Sequence, residues 1–381
     1  MSDTFVPRLA LVYGGIYLAI GVMLPFLAVW FAAKGLGPAE IGLVLAAPIV
    51  ARIVAMPLVT GFADRTGAVR AVLMAAAIAT TAAYALVGLA EGFWPILLTV
   101  VLASAAFAPV LPLTDAYALQ GLAQRQRAYG PVRLWGSAAF VAGSIGAGLL
   151  MEHMAPRLLI WVIVAAFSVA ALLALALQPL HAAPRVRAAT RLSPFVLLRA
   201  PGLVAAVAAA SLVQASHAVY YAFSALAWQA GGLSGFSIGV LWALGVAAEI
   251  ALFALSPRLP AVFTPTLLLA LGAAGALVRW AAMALDPPLA ALPLLQLLHA
   301  LSFGATHLGA VQFVARAASP GAAASAQGYL SVSIATAMSV ATALAGKAFA
   351  VYGTSAYALA AVLALGGLAL AFVAHRREAI T

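Results

Sequence analysis

Residues 7–32 read PRLALVYGGIYLAIGVMLPFLAVWFA and carry one charged side chain, that of Arg8. A helix needs about 20 apolar residues to cross the hydrocarbon core of a bilayer, so this stretch is long enough to span a membrane. The whole chain of 381 residues follows the same pattern, because 66% of its residues are apolar and 7% are charged, against about 25% charged in soluble domains. Such long apolar runs differ from the short alternating segments of a membrane barrel. The sequence therefore predicts an all-α polytopic membrane protein and excludes a soluble enzyme.

The apolar runs divide into twelve predicted spans, joined mostly by short loops. They lie at about residues 7–32, 40–62, 69–91, 94–120, 130–152, 157–179, 200–229, 236–257, 264–285, 288–316, 321–347 and 353–375. The longest polar interruption runs from Gln178 to Arg199 and separates six spans from six. We therefore expect two bundles of six transmembrane helices, over residues 1–180 and 200–381, joined by a cytoplasmic linker over residues 181–199.

The net charge of +10 is explained by membrane topology, and we expect no nucleic-acid partner. Apart from three arginines inside the spans, Lys34, Arg157 and Lys347 fall on one side of the membrane and the remaining Lys and Arg residues on the other. Because cytoplasmic loops are enriched in Lys and Arg, both termini are expected in the cytoplasm of a protein of the cell (inner) membrane. The cytoplasmic set is Arg8, Arg65, Arg70, Arg125, Arg127, Arg185, Arg187, Arg191, Arg199, Arg258, Arg316, Arg376 and Arg377. We also expect a monomer.

The two halves share a short internal repeat. Four residues around the start of the second span recur 197 residues later, around the start of the eighth. They are Gly35, Leu36, Ile41 and Gly42, which recur as Gly232, Leu233, Ile238 and Gly239. Parallel repeats of this kind are found in transporters, whose substrate sites lie near the midplane between the halves. The repeat favours two pseudo-symmetric bundles.

Charged residues inside the predicted spans are the strongest functional signal. Each costs about 2.5 to 3.5 kcal/mol at the bilayer centre, so such residues persist where they pair or line a water-filled pathway. Five spans carry one each: Arg52, Asp115, Arg133, Glu249 and Arg279. Ion pairs that only lock helices together are the alternative. Five charges on five helices favour a hydrated pathway.

Polar and aromatic side chains form stripes on three further helix faces. In the tenth span one stripe covers about a third of the helix circumference. It consists of Gln296, His299, Phe303, Thr306 and His307. The seventh span carries His217 and Tyr221, and the first carries Tyr13 and Tyr17. Histidine titrates near neutral pH and suits a proton relay, whereas a neutral imidazole bonded between helices and simple aromatic packing are the alternatives.

The residue types that carry enzymatic and metal chemistry are sparse. The chain has no cysteine and no H-E-x-x-H or G-x-S-x-G pattern. His299 and His307 are two helical turns apart, about 12 Å, which is too far to share a metal ion. Ser302 near His299 is the one candidate pair of nucleophile and base, and no third orienting group is evident. We expect no catalytic residue, no metal and no cofactor.

The loop after the second span resembles a motif of the major facilitator transporters. It reads Asp64-Arg65-Thr66-Gly67 with Arg70 following, similar to the D-R-x-G-R/K-R/K loop of that superfamily. The resemblance implies a conformational latch formed by Asp64, Arg65, Gly67 and Arg70, in which the acid caps a neighbouring helix and pairs with an arginine. Thr60 departs from the usual glycine four residues before the Asp.

A closer resemblance covers nearly the whole chain and concerns the branch of lactose permease, the nucleoside symporters and the phenylpropionate permeases. Residues 129–136, YGPVRLWG, are similar to the stretch that carries the substrate-binding arginine of lactose permease, which falls on Arg133. Asp115, eighteen residues earlier, matches the acid that partners this arginine. Phe140 matches the aromatic residue that stacks on a sugar ring.

The second half resembles the proton-coupling apparatus of the same branch. His299 matches the histidine of the tenth helix, and Arg279, twenty residues earlier, matches the arginine of the ninth. Glu249 resembles the acid of the eighth helix in the phenylpropionate and nucleoside carriers. The glutamate three residues after the histidine is Ser302 here, so a coupled proton must be carried by Glu249, Asp115 or a histidine.

The charge balance inside the spans bears on the substrate. Three arginines against two acids leave a formal charge of +1, which favours an anion, and Arg binds a carboxylate bidentately. The leading hypothesis is a secondary active transporter, a proton-coupled symporter of a small aromatic carboxylic acid. The predicted substrate-binding residues are Arg133, Asp115, Arg52, Phe140, Tyr17, His217, Tyr221 and Phe303, and the predicted coupling residues are Glu249, His299, Arg279 and His307. A sugar or nucleoside symporter and a proton-driven exporter are the alternatives.

Overall fold

The computed structural model describes residues 4–180, 201–317 and 323–378, and the predicted linker over residues 181–199 lies outside them. The described chain is helical throughout, with short 3-10 turns and one π-helical stretch. Its α-helices are α1 (Phe5–Ala33), α2 (Pro38–Thr66), α3 (Val69–Leu89), α4 (Phe93–Phe107), α5 (Val110–Ala123), α6 (Tyr129–His153), α7 (Leu159–Leu175), α8 (Pro201–Ala215), α9 (Ala218–Ala230), α10 (Gly235–Leu255), α11 (Pro265–Ala284), α12 (Leu292–Leu297), α13 (Thr306–Ala317), α14 (Ala323–Tyr352) and α15 (Tyr357–Glu378).

Eleven helical stretches among the described residues are long and apolar enough to cross a membrane. The last of them, Ala326–Arg377, has 52 residues, and it would be about 78 Å long at the α-helical rise per residue. That length is more than twice the thickness of the hydrocarbon core, which is about 30 Å. The stretch consists of α14 and α15, joined by a 3-10 turn over Gly353–Ala356. It therefore accounts for two crossings, and the predicted twelve-helix membrane fold is confirmed.

Two prolines interrupt the fourth predicted span. Ala108 and Pro109 separate α4 from α5, and the two helices together form one span, Phe93–Ala123, at the place of the fourth predicted span. Pro112, in the first turn of α5, lacks the N–H that would bond the carbonyl of Ala108 in a continuous helix. As a result, the helix that carries Asp115 begins within the span.

Side chains interrupt the seventh predicted span between α8 and α9. Ser216 Oγ donates to the carbonyl of Val213 over 2.6 Å, and Nδ1 of His217 lies 3.1 Å from the same oxygen. Such local bonds offer the backbone an alternative to the helical ladder. The tenth predicted span is also irregular, because α12 leads into a π-helical stretch over Ala300–Ala305 before α13. Stretches of this kind occur frequently at functional sites.

The internal repeat has the same backbone conformation in both copies. Gly35 and Gly232 have φ angles of 89° and 90°, a region that residues with a side chain rarely adopt. The N–H groups of Leu36 and Leu233 each bond the carbonyl five residues earlier, over 3.1 and 2.9 Å. The helices before these glycines therefore end in the same way.

The described contacts divide the chain into two compact units. One is built from residues within Met1–Arg185 and Ala225–Ala243, and the other from residues within Val186–Ser224 and Leu244–Thr381. In the first unit α1 and α6 cross at glycines, since a Cβ on Gly21 would lie 2.3 Å from the carbonyl oxygen of Phe140. This close crossing brings α1 and α6 side chains together over several turns.

Glycines also bring α11 against the π-helical stretch in the second unit. A Cβ on Gly272 would lie 2.1 Å from Oγ1 of Thr306 and 3.0 Å from the carbonyl oxygen of Leu301. A Cβ on Gly275 would lie 2.8 Å from Cβ of Leu301. Only residues without a side chain allow this approach, which places Arg279, one turn further along α11, beside the tenth span.

Candidate functional site

Asp115 on α5 is bound by two tyrosine hydroxyls. Tyr13 on α1 and Tyr129 at the start of α6 donate to its Oδ1 over 2.5 and 2.8 Å. Hydrogen bonds to a carboxylate are stronger than those between neutral groups, so Asp115 joins three helices. The resemblance implied Arg133 as its partner, but in the described part of the chain these two residues form no ion pair.

Arg133 on α6 contacts Tyr17 on α1 instead. It donates a hydrogen bond to the Tyr17 hydroxyl, and its guanidinium carbon lies 4.0 Å from the centroid of that ring. Gly136, one turn further along α6, leaves the room for this contact. A Cβ there would lie 2.8 Å from the Tyr17 ring and 3.0 Å from a guanidinium nitrogen of Arg133. No acid among the described residues pairs with Arg133, so its positive charge is available to a ligand.

The two other predicted substrate residues of the first unit differ in exposure. Arg52 on α2 is exposed and makes no hydrogen bond or ion pair with the described residues. Phe140 is buried, and its carbonyl packs against Gly21 where α1 crosses α6. The Arg52 side chain is therefore exposed at the protein surface, whereas the Phe140 ring is covered by protein.

Arg279 on α11 is the centre of a second cluster and is fully buried. It donates to Oε1 of Gln296 over 2.6 Å, and its NH1 lies 3.0 Å from Nδ1 of His299 and 3.3 Å from Oγ of Ser302. A buried charge is tolerated only when it is paired or hydrogen-bonded. The guanidinium also lies over two aromatic rings, at 4.6 and 4.5 Å from the centroids of Tyr220 and Trp280.

His299 connects Arg279 with Glu249. Its Nε2 lies 3.6 Å from Oε2 of Glu249 on α10. A guanidinium can only donate, so Nδ1 of His299 accepts from Arg279 and the ring proton is on Nε2. The neutral imidazole therefore directs an N–H group at the carboxylate. This cluster contains three of the four predicted coupling residues.

His217 belongs to this cluster, although the sequence analysis predicted that it binds substrate. It is 0% exposed, and its Nε2 lies 3.1 Å from Oγ of Ser302. Its ring stacks on Tyr221, with centroids 5.6 Å apart. Tyr221 is half-buried and close enough to Glu249 to interact with it electrostatically. His217 therefore contacts His299, one of the predicted coupling residues, and is shielded from solvent.

Phe303 lies between two histidines. Its ring centroid is 5.2 Å from that of His299 and 6.1 Å from that of His307, and both contacts are stacked. His307 is exposed and makes no hydrogen bond with the described residues. The Phe303 ring therefore separates His307 from the hydrogen-bonded cluster. Among the described residues, no hydrogen bond connects His307 with the other predicted coupling residues.

Sequence reasoning missed two partners in these clusters. Tyr129 precedes Arg133 by four residues, so both lie on one helix face, and this spacing could have associated Tyr129 with the site. The sequence analysis considered Ser302 as a candidate nucleophile and as the residue in place of a glutamate, but nothing in the sequence associated it with Arg279 or His217 as a hydrogen-bond partner. The π-helical stretch changes which side chains of the tenth span share a face, and neither composition nor periodicity predicts it.

Comparison with known proteins identifies the family. A model of the MFS_1 like family matches residues 7–357. The probable 3-phenylpropionic acid transporter of Escherichia coli (strain K12) is 32% identical over 366 residues, which cover 95% of this chain and 96% of that protein. The chain belongs to the major facilitator superfamily. The maltose permease of Geobacillus stearothermophilus is 30% identical over 321 residues, 81% of this chain and 78% of that protein.

Solved structures of major facilitator proteins share the fold. A mutant of the nucleoside transporter NupG superposes with a TM-score of 0.86 at 17% identity, covering 98% of this chain and 99% of that one. An inward-facing bacterial homolog of the human lysosomal transporter Spinster gives a TM-score of 0.76 at 15% identity, covering 99% and 98%. These structures show the fold, and the family model together with the 32% identical relative makes this chain a multi-pass membrane transporter of small molecules and not an enzyme.

The loop that resembles the major facilitator latch follows α2. Gly67 has a φ of 68° and ends the helix, and its N–H bonds the carbonyl of Ala63. Arg70 donates to the carbonyl of Leu177 over 2.8 Å, just beyond α7. Asp64 and Arg65 are exposed and make no hydrogen bond or ion pair with the described residues. The loop thus turns at Gly67, Asp64 has no hydrogen-bond or ion-pair partner among the described residues, and the latch itself stays a prediction.

Glycines also mediate a contact between α6 and the start of α10, both in the first compact unit. A Cβ on Gly148 would lie 2.2 Å from the carbonyl oxygen of Gly235, and one on Gly239 would lie 2.3 Å from that of Ser144. These helices belong to the first six and the second six crossings of the major facilitator fold. Only glycine at these positions allows the two backbones to approach this closely.

Proposed function

We propose that this protein is a proton-coupled symporter of a small aromatic carboxylic acid, working by alternating access as a monomer in the cell inner membrane. The observation that carries this proposal is the state of Arg133. It is half-buried, it stacks on Tyr17, and no acid among the described residues neutralises it. A guanidinium of this kind is suited to hold a carboxylate through two parallel hydrogen bonds.

The surroundings of Arg133 favour an acid that carries a ring. Tyr17 uses one donor of the guanidinium, and the side chain has five. The rings of Tyr13 and Tyr17 lie 5.7 and 4.0 Å from the guanidinium carbon, and aromatic faces attract other aromatic rings as well as cations. The 32% identity with a protein named for 3-phenylpropionic acid supports the same substrate class.

Glu249 is the proposed proton carrier. It faces Nε2 of His299 at 3.6 Å and interacts with Tyr221. The hydrogen bond from Arg279 occupies Nδ1 of His299, so the imidazole remains neutral in this arrangement. Protonation of Glu249 would remove the negative charge that His299 and, through it, Arg279 face. The state of one carboxyl group thereby controls the electrostatics of the cluster.

A neutral polyol or nucleoside is the second candidate substrate. Asp115 with the hydroxyls of Tyr13 and Tyr129 forms a group of acceptors and donors that could bind substrate hydroxyls. The similarity to a maltose permease supports this alternative. It predicts transport that tolerates loss of the Arg133 charge better than loss of the Asp115 carboxylate.

Uptake into proteoliposomes distinguishes the candidates. The panel consists of labelled arylpropionates, short aliphatic acids, nucleosides and disaccharides, each with and without an inward proton gradient, and empty liposomes measure the passive leak of the acids. We expect accumulation of an arylpropionate only under the gradient. Arg133→Gln should abolish it, and Arg133→Lys should restore little, because an ammonium group lacks the planar fork. Accumulation of a neutral solute, or normal acid uptake by Arg133→Gln, would refute the proposal.

A further inference from the structure

The buried Arg279 has neutral hydrogen-bond partners. No acid among the described residues forms an ion pair with it, and its NH1 and NH2 groups are directed at Gln296, His299 and Ser302. A guanidinium removed from water is strongly unfavourable unless such partners are in place. The positions of these partners therefore decide which way the guanidinium points.

Ser302 and His217 continue the chain of hydrogen bonds away from Arg279. Nδ1 of His217 lies 3.1 and 3.2 Å from the carbonyl oxygens of Val213 and Gln214. Carbonyls only accept, so the ring proton of His217 is on Nδ1 and its Nε2 is an acceptor. The Ser302 hydroxyl, 3.1 Å from Nε2, therefore donates to His217 and accepts from NH1 of Arg279.

The direction of this chain is the same at every step. Arg279 donates to Ser302, Ser302 donates to His217, and His217 donates to the last carbonyls of α8. Helix ends leave such carbonyls without an intrahelical partner, and the break between α8 and α9 places His217 within reach of them. Arg279, Ser302 and His217 are each 0% exposed. Loss of any member would leave buried groups unsatisfied.

We propose that Ser302 and His217 are positioning residues of the coupling site. Together they hold Arg279 with its NH1 facing Nδ1 of His299, and this contact keeps the ring proton of His299 directed at Glu249. The proposal rests on the proposed coupling function. The Ser302 hydroxyl, which donates to His217, holds the Arg279 guanidinium by a hydrogen bond and carries no net charge. A carboxylate at the same place would hold Arg279 by an ion pair. Glu249 therefore remains the acid of the described cluster.

A spectroscopic test addresses the geometry without reference to transport. The chain has six histidines, and ring ¹⁵N spectra of labelled protein can be assigned with single His→Gln variants. We expect His217 protonated on Nδ1 and His299 on Nε2. Ser302→Ala should change the His299 signals, and Ser302→Thr, which keeps the hydroxyl, should restore them. The matched control is Ser224→Ala, because the Ser224 hydroxyl is buried without a hydrogen-bond partner in the described residues. His299 spectra that Ser302→Ala leaves unchanged would overturn the proposal.

A transport test separates this inference from the proposed function. In proteoliposomes, equilibrium exchange of a labelled arylpropionate requires no net proton movement, while uphill accumulation does. We expect Ser302→Ala and His217→Phe to reduce accumulation roughly tenfold and exchange by a smaller factor, and to change the pH profile of accumulation. Ser302→Thr and His217→Gln, whose amide oxygen can accept from Ser302, should recover most of the activity. The groups that face Glu249 in its unit, His299 and Tyr221, are left intact in all these variants.

The outcomes are distinguishable. If the wild-type protein does not accumulate the acid under a proton gradient, the proposed function fails, and the histidine spectra still decide whether Ser302 orients the cluster. If the wild-type protein accumulates the acid, and Ser302→Ala shows the same accumulation with the same pH profile, the coupling function stands and the positioning role is refuted. Equal loss of exchange and accumulation in Ser302→Ala, with no rescue by Ser302→Thr, would indicate a purely structural role and also refute it.

Discussion

Tyr13 and Tyr17 lie one turn apart on α1 and bind groups of opposite charge. The Tyr13 hydroxyl donates to Asp115, whereas the Tyr17 hydroxyl accepts from Arg133. A tyrosine hydroxyl can donate or accept a hydrogen bond. One face of α1 therefore holds the Asp115 carboxylate and the Arg133 guanidinium of the proposed substrate site on separate tyrosines. The charge of Arg133 is consequently not cancelled by Asp115, and that is what makes an anionic substrate the better proposal.

The space beside Gly136 allows a sharp test of the Arg133 site. Gly136→Ala would place a Cβ 2.8 Å from the Tyr17 ring and 3.0 Å from the Arg133 guanidinium. We expect the KM for the acid to rise about tenfold, equivalent to about 1.4 kcal/mol, while the amount of inserted protein stays the same. The control is Gly146→Ala on the same helix, where a Cβ meets no atom within 4 Å. An unchanged KM in Gly136→Ala would contradict the role assigned to the stacked pair.

Replacement of Glu249 tests the proton carrier. Glu249→Gln keeps the size of the side chain that faces His299 at 3.6 Å and removes its ability to ionise. We expect accumulation under a proton gradient to fall to the level of simple equilibration, while exchange of labelled acid continues and loses its pH dependence. Asp115→Asn is the comparison, since Asp115 is the other acid among the five charges assigned to the interior of the predicted spans. Gradient-driven accumulation by Glu249→Gln would show that a group other than Glu249 carries the proton.

The glycine contact between α6 and α10 should report on the conformational equilibrium. Gly148→Ala would place a Cβ 2.2 Å from the carbonyl oxygen of Gly235, so the two helices must separate. Overpacking of this kind costs about 1 to 3 kcal/mol, or roughly tenfold or more in an equilibrium constant. The chain has no cysteine, so Ser144→Cys provides a single labelling site. We expect faster maleimide labelling when Gly148→Ala is added, and no change with Gly146→Ala.

An ion pair outside the spans predicts a pH dependence of stability. The hydrogen bond from Lys34 and the charges of Lys34 and Arg157 lower the pKa of Glu91, which lies in the turn between α3 and α4. A lowered folded-state pKa means that the stabilisation is present above the ordinary glutamate value of about 4.3 and is lost as the pH falls through the folded value. In thermal unfolding in detergent, we expect the wild-type protein to have a higher melting temperature than Glu91→Gln at neutral pH. The melting temperatures of the two proteins should converge in acid. A difference between them that grows as the pH falls would contradict this prediction.

Properties that depend on composition and local conformation could be predicted from the sequence. Apolar runs of sufficient length predict membrane crossings wherever they occur, because the bilayer imposes one hydrocarbon thickness on every helix. The repeat at Gly35 and Gly232 could likewise be identified from the sequence. Both glycines have a positive φ, a conformation that depends on the residue itself and its chain neighbours. The charges within the spans were identified for the same reason, because burying a charge in lipid is unfavourable whatever the fold.

Only the tertiary structure decided which side chains are partners. Asp115 meets Tyr13 across 102 residues of chain, and His217 meets Ser302 across 85. Both contacts depend on how far each helix is rotated and how closely it approaches its neighbour. Glycines such as Gly21 and Gly272 set that approach, and the π-helical stretch sets which face carries Ser302. Hydrogen bonds require positions correct to a few tenths of an ångström, whereas burial in a membrane requires only an apolar side chain, and for that reason the sequence alone determined the crossings but not the partners.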